Sequence, residues 1–233
     1  MKYLSLVLLI SVTISCNNSK RGSGNIIKET RQVKAFDGIM ASGAVNVDVQ
    51  TGATASVIVE TDDNIMTFVE TNVSGGTLNI KLNSINNLRN STVYVHVVTS
   101  EIKSLSSSAS AEIVSNNILA TKEKFVIKAS SGSSIHVNID AASVNVEASS
   151  GAEIEGKGKI RELVGNSSSG SSINFLELYA ETAKATVSSG ASIKLFASIS
   201  IDANASSGGE IKYTGGAKAV QKNVSSGGSV NAQ

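Results

Sequence analysis

The chain has no proline, no tryptophan, one cysteine and two histidines, and aromatic residues make up only 4% of its 233 positions. A single cysteine, Cys16, excludes an intramolecular disulfide framework. With so few aromatics, the core has to be built from Val, Ile, Leu and Ala. Aromatic platforms for sugar rings are also scarce, because Tyr3, Tyr94, Tyr179 and Tyr213 are the only tyrosines. Charge of one sign is missing as well. Twenty basic residues against nineteen acidic leave +1, without the basic footprint of a nucleic-acid binder. Neutral glycans and proteins stay open as ligands. Residues 4–14 form an apolar run too short to span a bilayer.

That run belongs to "MKYLSLVLLISVTISC", which has the layout of a secretory signal: basic Lys2, an apolar stretch from Leu4 to Ile14, and small Ser15 before Cys16. A signal ending in small residue–Cys resembles a bacterial lipobox, with Thr13 in place of the usual leucine. Residues 1–16 are therefore expected to be a lipoprotein signal peptide, with Cys16 as the lipid attachment site. The alternative is an ordinary cleaved signal that happens to contain a cysteine. Acyl chains on Cys16 supply stable anchoring and make the membrane a partner. Residues 17–29, opening "NNSKRGSGNII", read as a flexible tether, and Lys20-Arg21 as solvated within it. No acidic run follows the cysteine, so both a periplasmic and a surface-exposed position on the outer membrane remain open.

The rest of the chain, 30–233, reads as one domain, less regular over 30–104 and repetitive over 105–233. Units such as "ASSGSSIHV" at 129–137 and "VSSGASIKL" at 187–195 recur to the end. Their apolar index residues are Ile113, Ile135, Ile154, Ile173, Ile193, Ile211 and Val230, at steps of 22, 19, 19, 20, 18 and 19. This period is too short for a helical-pair repeat and too long for a nonapeptide roll, and fits one turn of a β-solenoid. Apolar residues alternate with period two through each unit, as in a half-buried strand. Extending the alternation through Ser-Ser-Gly predicts that the second serine (Ser131, Ser150, Ser189) faces inward and stacks into a hydroxyl ladder. The outward column would read Glu112, Ser134, Glu153, Ser172, Ser192, Glu210, Ser229. "SINNLRN" at 84–90 reads as a loop, and "TDDNIMTFVETN" allows one short helical turn.

Reactive sets are sparse. His96 and His136 both have outward parity, and no G-x-S-x-G elbow is present. Glu60, Asp62, Asp63 and Asn64 form the only local carboxylate group; without EF-hand spacing, it reads as a polar turn rather than a calcium loop. No catalytic, cofactor or metal residue is therefore assigned. Tyr179, on a loop, is the better exposed aromatic, whereas Tyr213 has inward parity and reads as an end-cap residue.

Three segments carry a resemblance: "VKAFDGIMASGAVNVDVQTG" at 33–52, "VETDDNI" at 59–65 and "IKYTGGAKAVQKNVSSGGSV" at 211–230, together with the serial SSG-x-x-I units. With these, the chain resembles the "putative auto-transporter adhesin, head GIN domain" family of Bacteroidetes-type lipoproteins. It departs from the family near Ala217, where a proline is common. The resemblance implies an all-β, right-handed parallel β-helix and brings no catalytic residues. The expected function is a non-enzymatic, lipid-anchored cell-envelope protein with a structural, adhesive or binding role. The alternative is a glycan-binding or polysaccharide-processing β-helix protein.

Overall fold

The computed structural model describes residues 19–83 and 87–233. Residues 1–16, with Cys16, lie outside them. The described chain is nearly all β, with 68% strand and 2% helix, and winds into a β-solenoid of about 6 turns. The first part comprises β1 (Ser19–Arg21), β2 (Ile26–Thr30), β3 (Gly38–Ser42), β4 (Asn46–Thr51), β5 (Ser56–Asp62), α1 (Asp63–Met66), β6 (Val69–Ser74), β7 (Thr77–Leu82), β8 (Asn87–Arg89) and β9 (Tyr94–Thr99). The regular part comprises β10 (Ser104–Ser108), β11 (Glu112–Ala129), β12 (Ser134–Ala148), β13 (Glu153–Ser167), β14 (Ser172–Val187), β15 (Ser192–Ala205), β16 (Glu210–Thr214), β17 (Ala219–Val224) and β18 (Ser229–Ala232).

The repeat sets the register. Ile113, Ile135, Ile154, Ile173, Ile193, Ile211 and Val230 are successive parallel partners, and Val47 continues the column below Ile113. The isoleucines of this column are buried, each worth about 1.5–3 kcal/mol relative to exposure. Small and large residues alternate along other inward columns. Gly156 leaves room for the Phe175 ring, which a Cβ there would meet at 2.7 Å.

The Ser-Ser-Gly motif differs from its expected role. Ser131, Ser150 and Ser189 do not face the core. They are exposed, with φ between 52° and 56°, and the next residues, Gly132, Gly151 and Gly190, have φ near 70°. Two successive positive φ values are those of a type I′ turn, and the fourth residue closes it, as in Ala152 N–H to Ser149 O at 3.1 Å. Strict alternation cannot pass through such a turn, because its two central residues project away from the core. The buried small residue is the one after the glycine: Ser133, Ala152, Ser171 or Ala191. Hydroxyl pairing is local, with Ser107 to Ser133 and Ser167 to Ser171 both at 2.8 Å, since alanines interrupt the columns. The backbone makes the continuous ladder instead. Gly132, Gly151, Gly170, Gly190 and Gly208 each donate to the carbonyl of the positive-φ serine one coil on, at 3.1 Å.

The N-terminal half does not stack in sequence order. The coil containing β3 and β4 lies directly beneath β10 and β11, while β7 and β9 form the coil on its other side. Beyond that coil the pairing turns antiparallel: β5 on β9, β2 on β5, and β6 on β7. Terminal strands of a solenoid need such protection from edge-to-edge pairing. The expected tether over 17–29 is ordered from Ser19 onward. β1 pairs with β8, β2 pairs with β5, and Ile27 and Leu88 pack against the core. These pairings also place Asn87–Arg89 in a strand, where a loop was expected. At the C-terminal end, Lys222 occupies an inward position beside Ala203. Its ammonium sits 5.1 Å from the Tyr213 ring centroid and donates to Val230 O at 3.3 Å.

Candidate functional site

Outward residues fall into columns because the strands are in register. Glu112, Ser134, Glu153, Ser172, Ser192, Glu210 and Ser229 are successive partners. A second column, Lys128, Glu147, Asn166, Thr186, Asn204 and Asn223, runs along another strand row. There Lys128 pairs with Glu147 at 2.9 Å, and Asn223 donates to Asn204 at 2.8 Å. These faces are polar, regular and solvated, and exposed pairs of this kind contribute up to about 1 kcal/mol each.

The two histidines occupy related positions on a third column. His136, beside Val114, faces Glu155 from Nδ1 at 3.3 Å and Glu112 from Nε2 at 4.0 Å. His96 is hydrogen-bonded to Asp48 through Nδ1 and lies 3.1 Å from Glu60 through Nε2, with Tyr94 stacked alongside. Lys28 reaches Glu60 at 3.0 Å. The Lys28 ammonium, then His96, hold the Glu60 carboxyl below its ordinary value. Both ring nitrogens of each histidine face carboxylates, so neither imidazole is set to activate a serine hydroxyl. The His96 cluster joins β2, β5, β9 and β4 across the junction of cap and first coils.

The segment Asp62-Asp63-Asn64 forms a clasp around residues 21–25. Gly24 N–H donates to Asp62 Oδ1 at 2.6 Å, Ser23 Oγ to Asp63 Oδ1 at 2.6 Å, and Asn25 Nδ2 to Asp63 Oδ2 at 2.9 Å. Asn64 donates to Arg21 O at 2.9 Å and accepts from Ser23 N–H at 3.1 Å. The Ser23 hydroxyl, then the Asn25 amide, lower the Asp63 carboxyl from its ordinary value. Five polar contacts thus hold a stretch whose Gly/Ser composition reads as flexible.

The sequence matches the model of the family described as "Putative auto-transporter adhesin, head GIN domain" over residues 35–217. The chain belongs to this family. Among solved structures, the same fold recurs in a putative adhesin from Bacteroides fragilis NCTC 9343, with 18% identity, TM-score 0.83, and coverage of 92% of this chain and 100% of that one. A putative lipid binding protein from Parabacteroides distasonis is similar with 20% identity and TM-score 0.72, covering 92% and 99%. A putative adhesin from Parabacteroides merdae has 15% identity and TM-score 0.71, covering 93% and 99%. At these identities the likeness is one of fold. No curated protein matches the sequence.

Within this head GIN domain chain, the acidic group splits by strand geometry. Glu60 faces Lys28 and His96, Asp62 is buried, and Asp63 and Asn64 hold Ser23 and Asn25. Among the described residues, no three His, Cys, Asp or Glu side chains converge to hold a metal. Tyr179 is 50% exposed and packs edge-on against Phe196 at 4.9 Å, while Tyr213 is buried at the C-terminal end. Sequence reading missed Asp48, Lys28, Ser23 and Lys222. The first three act across separations of roughly 30–50 residues set by out-of-order strands. Lys222 carried a readable signal, a lysine at inward parity in the final unit. Among the described residues, no helix is long and apolar enough to cross a membrane.

Proposed function

We propose that this protein is a non-enzymatic, lipid-anchored β-solenoid of the cell envelope, attached to the outer membrane through Cys16 and acting as an adhesive or structural module. The observation that carries the reading is the set of in-register outward columns. They present regular polar faces along the solenoid, and both histidines are committed to carboxylates. A surface of this kind suits repeated contacts with an extended ligand better than it suits turnover. The family's adhesin description, and putative adhesins among proteins of similar fold, support the same direction. Palmitate labelling with globomycin-sensitive processing tests the anchor. Wild-type chain is expected to label and Cys16→Ala to lose the label; persistent labelling of the variant overturns it.

A second reading, glycan contact, rests on exposed Tyr179 and the half-buried Phe196 ring that it packs against in the regular coils. A glycan array with Tyr179→Ala as control separates the readings. Saturable binding lost in the variant favours this site, and turnover of any polysaccharide overturns the non-enzymatic proposal.

A further inference from the structure

The steps of 22 from Ile113 and 20 from Ile173 are the two that exceed nineteen in the index series. Both departures surface on the same face. In β11, Ser115–Asn117 stand opposite the single residue Val137, because Val114 pairs with His136 and Ile118 with Asn138. In β14, Phe175 and Leu176 stand opposite Gly156. The Phe175 ring fills the core where Gly156 has no side chain, and Leu176 is left half-buried at the surface. Between these two bulges β12 and β13 run in register. Bulges re-aim side chains and recur beside functional sites. Here they bracket an open cavity of about 420 Å³, within the range that holds small ligands.

The walls of this cavity are already fixed. Asn138 N–H donates to Ser115 Oγ at 2.8 Å, Asn116 Nδ2 to Asp48 Oδ1 at 3.1 Å, and Asn117 Nδ2 to Thr51 O at 2.9 Å. Across the cavity, Asn174 donates to Glu155 Oε1 at 3.4 Å, and His136 Nδ1 faces Glu155 Oε2 at 3.3 Å. Groups held in place in this way bind without a further ordering cost. Asn138, Lys157 and Glu177 are successive outward partners and complete the polar lining. Val114 and Leu176 add apolar surface from the two flanking strands.

We infer that this cavity is a binding site for one neutral sugar ring of a glycan. Charge argues against the other small-ligand classes. Among the lining residues Lys157 is the one ammonium against Glu155 and Glu177, which disfavours an anion. A cationic ligand finds Glu155 already engaged by Asn174 and His136, and Glu177 set opposite Lys157. What remains is a set of carboxylate and amide edges beside an imidazole. Carboxylates and amides are planar and carry two polar atoms side by side, which suits a pair of neighbouring hydroxyls. Val114 and Leu176 are placed to meet the C–H surface of the ring. The inference rests on the adhesive reading and deepens it, because it supplies the ligand class that the regular columns alone do not. Tyr179 is not part of this lining.

The test uses the full chain in a detergent without sugar head groups. Methyl glycosides of glucose, galactose, mannose and N-acetylglucosamine are titrated by calorimetry, with methyl glucuronide, inorganic phosphate and putrescine as charged probes. At least one neutral glycoside should bind saturably with Kd of about 1 mM or tighter, and no charged probe should bind more tightly. Neither Asn138 nor Glu177 is buried. Asn138→Ala and Glu177→Ala should each weaken the binding by about five- to tenfold, the loss of one hydrogen bond, with urea midpoints unchanged. Absence of neutral-glycoside binding by wild type overturns the inference whether or not the variants fold. Tighter binding of a charged probe, unchanged affinity in either variant, or loss of binding in Tyr179→Ala alone overturns it too. Beads coated with the chain keep a failure here apart from a failure of the adhesive reading. Without glycoside binding, retention of the beads on gelatin leaves that reading in place, and retention on neither gelatin nor dextran overturns it as well.

Discussion

At the N-terminal end, the edge of the stack is covered by β5 and β6 running antiparallel to it, with β2 antiparallel to β5 and α1 and the clasped arm at their side. At the C-terminal end, among the described residues, β17 pairs only with β15 and β18 only with β16, and the end of the core is guarded by Lys222 folded over Tyr213. One end spends several strands, a short helix and a clasped arm on protection, and the other spends two side chains. The difference follows from what each strand row can accept. Antiparallel strands terminate parallel growth by reversing the hydrogen-bond pattern. A cation at an inward position makes it costly to stack another apolar layer on the open end.

Paired core truncations test the contrast most severely. Leu78, wholly buried in the coil beneath the cap, should lose about 2–5 kcal/mol on replacement by Ala. Val230, at the open end, should lose about 0.5–1.5 kcal/mol on the same change. Urea unfolding of the two variants gives the comparison, and equal losses would mean that the last coil is as firmly held as the first.

Lys222→Val sharpens the other half. Removing the charge gives up about 0.5–1 kcal/mol of contact with the Tyr213 ring but leaves an apolar, unpaired edge. Light scattering after size exclusion should then show concentration-dependent association absent from wild type. A variant no more self-associating than wild type would remove Lys222 from its guarding role.

The mildest test is acid. Glu60 and Asp63 both have carboxyls lowered in the fold. Their contribution is therefore fully present above the ordinary values of 4.5 and 3.8, and it is lost as pH falls through the lower folded values. Between neutral pH and about pH 3, exchange at Ser23–Asn25 should accelerate more than exchange in β17, after correction for the intrinsic rate. If both ends loosen in parallel, the clasp is not a separate acid-sensitive element.

Legibility in the sequence divides along the same line as the ends. From Ile113 onward, spacing and parity fixed the coil register, because each coil pairs with its sequence neighbour and a one-residue slip would expose the whole apolar set. The failure at Ser131, Ser150 and Ser189 was local: alternation assumes extended backbone, and two positive φ values break it. Before residue 104 the strands were visible but their order was not. Nothing in "STVYVHVV" says that Val95 lies beside Val47, nor that His96 bonds Asp48. The arm "RGSGN" misled because glycine and serine describe the freedom of an isolated chain. Asp62, Asp63 and Asn64, some forty residues away, remove that freedom.

By itself, then, the sequence determined the family, the β-solenoid and the inward isoleucine column. A nineteen-residue period and two-residue alternation are local, repeated, and satisfied by nearest-neighbour stacking. Tertiary structure decided the rest: the I′ turn that carries the backbone ladder, the coil inserted out of order, the clasp with its buried Asp62, and the lysine over the open end. Each of these depends on which distant strand becomes a neighbour. That choice is made by hiding edges and pairing buried polar groups, and it leaves no periodic trace along the chain.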